Sequence, residues 1–237
     1  MIKIENTDVC GWEHAIRGMR NPMNSWDKSD SDFVEVFEDI IDRDVYSLKS
    51  VNIGENDFTL MKTLAKKGSV HAKYRRMIVV YADIVAPLYW WKEFETYKVG
   101  TVVNSCSTMH KIADKEFTLD DFSCEYLVKE NIHELNNVIC KLNKYREKYL
   151  NWNEHDLYID DDTQIVDKKV VWWQMIQLLP SSYNQRRTVM LNYEVLSNVY
   201  RNRKEHKLDE WREFCKWIET LPYSEIITGY TEVENDD

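Results

Sequence analysis

Glycine and proline, the residues that let a chain turn sharply, are almost missing from this sequence. Six Gly and four Pro stand among 237 residues, about 4% where average usage gives roughly 12%. So few turn-formers leave no room for a glycine-rich phosphate loop, and neither GxGxxG nor GxxxxGKS/T occurs. The same scarcity argues against a many-turned β-sandwich, a collagen-like repeat and a Pro/Gly-rich disordered chain. Aromatic residues are plentiful instead, with seven Phe, fourteen Tyr and nine Trp. The expected product is a helix-rich globular protein with a large aromatic core, one that holds any cofactor mainly through side chains.

Charge narrows the partners. Asp and Glu number 41 against 31 Lys and Arg, a net charge of −10. An acidic surface repels phosphate backbones, so no nucleic-acid partner is expected. No run of about 18 apolar residues is present, and the start, Met1 to Asn6, has no signal-peptide core. A soluble, cytoplasmic protein with no membrane partner follows as the expectation. One domain over 1–230 suits the length, with 231–237 read as an acidic flexible tail. The five cysteines (10, 106, 124, 140 and 215) form no CxxC pair and read as free thiols. Cys10 and His14 lack a second pair, and His133-Glu134 lacks the second histidine of HExxH, so no metal is expected.

Periodicity supplies the elements. The first 30 residues read as irregular. A helix is expected from Asp32, which can cap it, because Phe33, Val34, Phe37, Ile40 and Ile41 recur at helical spacing. A second helix is expected over 57–67, stopped by Gly68 in a left-handed conformation. Met77 to Val85 reads as a strand, and Pro87 opens a helix from Leu88 to about Tyr97. The segment 100–110 reads as irregular and polar. The longest helix is expected over 120–150 and another over 166–179, cut at Pro180. Residues 183–191 read as a strand, with helices at 193–204 and 208–220 after it. Helices around a small central β-sheet make an α+β class.

Two segments carry more than core pattern. One is Ala86-Pro-Leu-Tyr-Trp-Trp-Lys-Glu-Phe-Glu-Thr-Tyr-Lys-Val-Gly-Thr101, continuing to Thr108. The other holds Leu179-Pro180, Asn192, Asn198, Arg203 and Trp211, with gaps of six and five residues separating Asn192, Asn198 and Arg203. Together they resemble the flavin-dependent thymidylate synthases (the ThyX type). In that family an Ala-Pro helix ends in Arg-His-Arg-x-x-Ser, and a later Leu-Pro precedes two Asn and an Arg at these spacings. The likeness spans 68–109 and 176–218, somewhat over a third of the chain. The signature itself has changed, to Thr96-Tyr-Lys-Val-Gly-Thr101, keeping one positive charge and one hydroxyl. Neutral Thr and Tyr are weaker ligands for a flavin diphosphate than Arg and His.

The resemblance implies reductive methylation of dUMP or a related pyrimidine nucleotide, with methylene-tetrahydrofolate and NADPH as co-substrates, FAD as cofactor, and a homotetramer. By carry-over Arg203 is the catalytic residue, bonding the pyrimidine and stabilising charge as the ring is activated. Asn192, Asn198, Thr96, Tyr97, Lys98 and Thr101 fall on flavin-binding positions. Asn104, Ser105, Cys106 and Ser107, with Arg203 and Glu93, fall on nucleotide-binding ones. Two alternatives stand beside this reading. One is a relative that has lost catalysis and serves as a binding or regulatory protein; the other is a flavin-free nucleotide-binding enzyme. Arg17, Arg20, Lys92 and Lys98 are read either as displaced phosphate ligands or as surface charges.

Overall fold

The computed structural model describes residues 2–38, 46–153, 158–159 and 165–229. In chain order the elements are β1 (Lys3–Cys10), α1 (Trp12–Arg20), β2 (Asp32–Glu38), β3 (Tyr46–Asn52), α2 (Glu55–Lys66) and β4 (Val79–Pro87). There follow α3 (Leu88–Phe94), β5 (Val102–Ser105), α4 (Thr108–Lys111), α5 (Lys129–Leu150), β6 (Tyr158–Ile159) and β7 (Ile165–Val166). The last are α6 (Lys168–Leu178), β8 (Asn184–Asn192), α7 (Tyr193–Arg203), α8 (Asp209–Glu219) and α9 (Glu225–Thr228). Four strands form one sheet in the order β1-β4-β8-β5, while β2 with β3 and β6 with β7 make separate two-stranded antiparallel sheets. The α+β class is as expected. Among the described residues no helix is long and apolar enough to cross a membrane.

Several elements follow directly from their residues. Val80, Ala82, Ile84 and Ala86 are buried along β4 at the two-residue period of a strand. Pro87, with φ −68°, ends that strand and caps α3. Gly68 takes φ 84° just after α2, the left-handed stop that the sequence calls for. Trp211, Phe214, Cys215 and Ile218 form the buried stripe of α8 at helical spacing.

Other expectations are corrected. The first 30 residues are not irregular: they hold β1 and α1. β1 is an outer strand with no buried residue, so it carries no apolar alternation to read. Asp32–Glu38 is a strand and not a helix, paired with β3 from Asp32 opposite Asn52 to Glu38 opposite Tyr46. Short runs rich in Phe and Val satisfy both periods, and β-propensity with a pairing partner decides between them. Ile40 and Ile41 lie outside the described residues, as does the acidic tail.

The long helix begins at Lys129, not near 120. Asp121 Oδ2 accepts from Thr118 N at 2.8 Å, closing a 3₁₀ turn, and Phe122 then bridges to Tyr183. The helix after Pro87 ends at Phe94, about a turn before Tyr97. Residues 100–110 are partly ordered into β5 and α4, the latter capped by Ser107 Oγ accepting from His110 N.

The chain divides into two compact units. The first comprises Met1–Glu5, Asp83–Thr96 and Val103–Thr188. In it Leu135, Ile139 and Leu142 of α5 bury against Met175 of α6, with Ile112, Phe117 and Phe122 completing the cluster. Trp90, Trp91 and Phe94 of α3 are fully buried, with ring centroids 4.9–5.3 Å apart. Each such side chain contributes about 1.5–3 kcal/mol.

The second unit comprises Asn6–Ala82, Tyr97–Val102 and Val189–Asp237. Trp12 of α1 meets Tyr193 edge-on at 5.2 Å and Tyr223 at 5.3 Å. Arg20, which the sequence offers as a phosphate ligand, is buried. Its Nε donates to Asp57 Oδ1 at 2.6 Å, and Ser29 and Ser31 each donate to Oδ2 at 2.7 Å. That arginine balances a buried carboxylate and belongs to the core.

Candidate functional site

β8 runs into α7 at Asn192, and this junction organises the second unit's cavity. Asn192 Oδ1 accepts from Val195 N at 3.0 Å, capping the helix. Tyr193 N donates to Ile78 O at 3.1 Å, tying the start of α7 to the chain before β4. The loop carrying Gly100 presses onto this helix start. Gly100 has φ 78°, and a Cβ there would lie 2.7 Å from Asn192 Nδ2 and 3.2 Å from Val195 Cγ2. Only glycine fits that approach.

Around the junction opens a cavity of about 510 Å³, within the usual range for ligand sites of about 300–1,000 Å³. It is lined by residues from three separate stretches: Gly68 to Arg76 with Ala65, Val99 and Gly100, and Asn192 to Arg201. Three arginines, Arg75, Arg76 and Arg201, and one glutamate, Glu194, are among the lining residues. Arg75 is only 5% exposed. Its Nη1 donates to Ser197 Oγ at 3.1 Å and lies 3.6 Å from Glu194 Oε2. Arg201 Nη2 donates to Asn198 Oδ1 at 3.3 Å.

Arg203 lies one turn beyond Asn198 and is held differently. Its Nε donates to Tyr97 Oη at 3.0 Å, and its guanidinium sits 4.7 Å from the Trp211 ring. Tyr97 and Trp211 meet edge-on at 5.9 Å. The result is a half-buried cation between two aromatic rings, a geometry worth about 0.5–2 kcal/mol per ring face.

The loop expected to bind the nucleotide lies in the first unit. Asn104 and Ser105 are exposed on β5, and exposed Cys106 donates its backbone N–H to Arg186 O at 3.0 Å. Gln185 Nε2 braces the loop by donating to Cys106 O at 2.8 Å and to Thr108 Oγ1 at 2.9 Å. Arg187 in turn donates to Gln185 Oε1 at 3.0 Å and to Glu95 Oε1 at 2.7 Å, over the face of Trp91. Cys106, Ser107, Lys111, Tyr183 and Arg186 line a cleft of about 370 Å³. Burial, and then the Asp121 carboxylate, push the Tyr183 phenol above its ordinary pKa.

The structure therefore sorts the residues singled out from sequence. Asn192 and Asn198 share the second unit's cavity; Cys106 and Ser107 share the first unit's cleft. Tyr97 goes to Arg203. Thr96 Oγ1 donates to Glu93 O at 2.7 Å, so Thr96 and Glu93 close the end of α3, and neither lines either cavity. Lys98 is exposed. Thr101 is half-buried, and its hydroxyl makes no hydrogen bond among the described residues.

Arg75, Arg76 and Arg201 escape a reading from sequence, although a signal for one of them exists. Glu194, Ser197, Asn198 and Arg201 share one face of α7 at spacings of three and four, so Arg201 belongs with Asn198.

No protein-family profile matches the sequence, and no curated protein matches it. Solved structures do. Thymidylate synthase X from Helicobacter pylori with FAD and dUMP aligns over 96% of this chain and 97% of its own, with TM-score 0.60 and 14% identity. The chain has the fold of the flavin-dependent thymidylate synthases. A second Helicobacter pylori complex with FAD and dUMP aligns over 95% of this chain and 97% of its own, again with TM-score 0.60 and 14% identity. The UMP/dUMP methylase PolB from Streptomyces cacaoi, bound with 5-Br dUMP, aligns over 98% and 97%, with TM-score 0.58 and 12% identity. The thymidylate synthase fold thus extends over nearly the whole chain, well beyond the two segments that carry the sequence resemblance.

Proposed function

We propose that this protein is a nucleotide-methylating enzyme of the flavin-dependent thymidylate synthase type, acting on dUMP or a related pyrimidine nucleotide. One observation carries the reading: Asn192, Asn198 and the Gly100 loop, distant in sequence and each marked by the resemblance, line a single cavity. The fold likeness supports it, since the neighbours include complexes with FAD and dUMP and a UMP/dUMP methylase.

A flavin requires donors for its diphosphate and close backbone approach. The cavity offers guanidinium groups, Ser69 and two amides for the first. For the second it offers Gly100, where a Cβ would fill the space against Asn192. This donor set fits the cofactor. When bound, FAD supplies the hydride chemistry. Asn192 commits its oxygen to the α7 cap, so its amide nitrogen is the group available to a ligand. Arg203 lines neither cavity; in this reading its guanidinium, half-buried against Trp211, would be the cation that stabilises negative charge developing on the pyrimidine. In this reading methylene-tetrahydrofolate is the one-carbon donor, NADPH the reductant and a homotetramer the assembly.

The test is direct. Purified full-length protein should be yellow, or take up added FAD, and dUMP should raise its melting temperature. A colourless protein that neither takes up FAD nor responds to dUMP overturns the reading. A second reading, a relative without turnover, is favoured by the altered signature: none of Thr96, Tyr97 or Lys98 lines the cavity. Flavin and nucleotide binding with no methylation in the presence of methylene-tetrahydrofolate and NADPH would select it.

A further inference from the structure

Gln185 and Arg187 stand two residues apart on β8 and so project from the same face of the strand. They are joined there: Arg187 Nε donates to Gln185 Oε1 at 3.0 Å. Arg187 is fixed from two further sides. Its Nη1 donates to Glu95 Oε1 at 2.7 Å, and its guanidinium lies 4.4 Å over the ring of fully buried Trp91. Trp91 Nε1 in turn donates to Gln185 O at 3.0 Å. The aromatic core of α3 thus grips both the arginine and the glutamine backbone.

A side-chain amide has one accepting end and one donating end, and it can sit either way round. With Arg187 donating to its oxygen, Gln185 must turn its nitrogen the other way. That nitrogen donates to Cys106 O at 2.8 Å and to Thr108 Oγ1 at 2.9 Å. The reversed amide would set oxygen against a carbonyl oxygen and N–H against N–H, with the bonds to Cys106 and Arg187 both lost. Cys106, Ser107 and Thr108 line the first unit's cleft beside Gln185. Ser107 also caps α4, so the amide secures the loop where β5 gives way to that helix.

We propose that Gln185 and Arg187 are positioning residues for this cleft: Arg187 orients the Gln185 amide, and Gln185 holds the 106–108 loop in the shape it presents to a ligand. The inference rests on the proposed function, which makes the ligand a pyrimidine nucleotide, and deepens it by naming what shapes the loop beforehand. Neither residue is among those the sequence singles out. Groups of this kind set the geometry of a site without touching its ligand's reacting atoms, and binding weakens when they are removed.

Gln185→Leu, Arg187→Met and the double variant of the full-length protein provide the test. Leucine removes both ends of the amide; methionine keeps an apolar stem against Trp91 and removes the donors. Isothermal titration with dUMP and with FAD gives the functional readout, amide hydrogen exchange over 104–108 gives the local one, and circular dichroism establishes that each variant is folded. Each single substitution should weaken dUMP about tenfold. It should also speed exchange of the Cys106 N–H, bonded to Arg186 O at 3.0 Å, by about the same factor. The double variant should be no worse than Gln185→Leu, because Arg187 acts through the amide. FAD affinity should stay unchanged, since the cavity proposed for it shares no lining residue with the cleft.

Unchanged dUMP affinity in both single variants overturns the proposal and leaves the proposed function standing. Equal losses of FAD and dUMP, or losses that add in the double variant, mean a general structural role and overturn it as well. If the wild type ignores dUMP, the proposed function loses its nucleotide and hydrogen exchange alone decides the inference. Faster exchange in both single variants, with no addition in the double, supports the Arg187–Gln185 device; unaltered exchange removes it.

Discussion

Consider the loss of one hydroxyl, Tyr97→Phe. Tyr97 Oη accepts the hydrogen bond from Arg203 Nε at 3.0 Å, and Arg203 also stacks 4.7 Å from Trp211. Phenylalanine keeps the ring, so the edge-on contact with Trp211 at 5.9 Å survives and only the hydrogen bond is lost. Bonds to charged groups contribute about 1.5–3 kcal/mol net when buried. Arg203 and Tyr97 are half-buried, which places the expected loss near the lower end, about 1–1.5 kcal/mol. The measurement is a double-mutant cycle in urea at constant m, comparing Tyr97→Phe, Arg203→Met and the double variant.

Methionine preserves much of the apolar stem and deletes the charge. The double variant should be about 1 kcal/mol more stable than the sum of the single losses predicts. In nucleotide titrations Tyr97→Phe should weaken dUMP about tenfold, by releasing the guanidinium plane, and should add nothing once Arg203 is gone. Additivity of the two substitutions within about 0.5 kcal/mol refutes the idea that Tyr97 positions Arg203.

Three further outcomes are expected. Burial raises the Asp57 pKa, but the bonds from Ser29, Ser31 and Arg20 outweigh it and hold the carboxyl below its ordinary value of 3.8. A depressed folded pKa means that this stabilisation is complete above about pH 4 and fades as pH falls through the folded value. Asp57→Ala should cost about 3–5 kcal/mol at neutral pH by leaving Arg20 buried without its carboxylate, and should flatten the acid limb of stability. Urea midpoints between pH 2 and 7 check both effects, and a steep, unchanged acid limb in the variant counts against them.

Burial, helped by Glu219, pushes the Cys215 thiol up to about 12. Iodoacetamide at pH 8 should therefore modify exposed Cys10, Cys106 and Cys140 in the native protein and spare Cys215, as read by mass spectrometry. Gly100→Ala should cost about 1–2 kcal/mol from its positive φ. It should also reduce FAD uptake by driving a Cβ against Asn192, whereas normal uptake would show that the loop can yield.

The elements legible in the sequence were those whose residues state their own surroundings. β4 alternates small and branched apolar residues; α8 places Trp211, Phe214 and Ile218 on one stripe. Pro87 and Gly68 mark boundaries by backbone geometry alone. β1 and β2 were not legible in this way, for different reasons. β1 buries none of its side chains, and its place is set by pairing along the sheet edge. Phe33, Val34 and Phe37 satisfy a helical spacing as well as a strand's, and the partner that decides, β3, begins only at Tyr46. Information held by a non-local partner has no local periodicity to reveal it.

The site divides along the same line. Asn192 stood out in the sequence only by its spacing to Asn198 and Arg203; that its amide oxygen caps α7 by accepting from Val195 N is what the structure adds. Arg76 and Arg201 look like ordinary members of charge runs. Only the meeting of the 3₁₀ turn with one face of α7 turns them into cavity wall, and Arg75, next to Arg76 in sequence, shows how little the residue type decides. Two adjacent arginines on one turn have opposite fates, because Arg75 reaches Ser197 and Glu194 while Arg76 faces the open cavity. Charge neutralised by a core partner adds to stability; charge left without one on a concave surface is available to a ligand. Exchanging the roles tests this logic: Glu194→Gln should release Arg75 from its carboxylate and tighten phosphate binding, at some cost in stability from the changed core. Weaker binding in that variant would mean that Glu194 orients Arg75 for the ligand and does not compete with it.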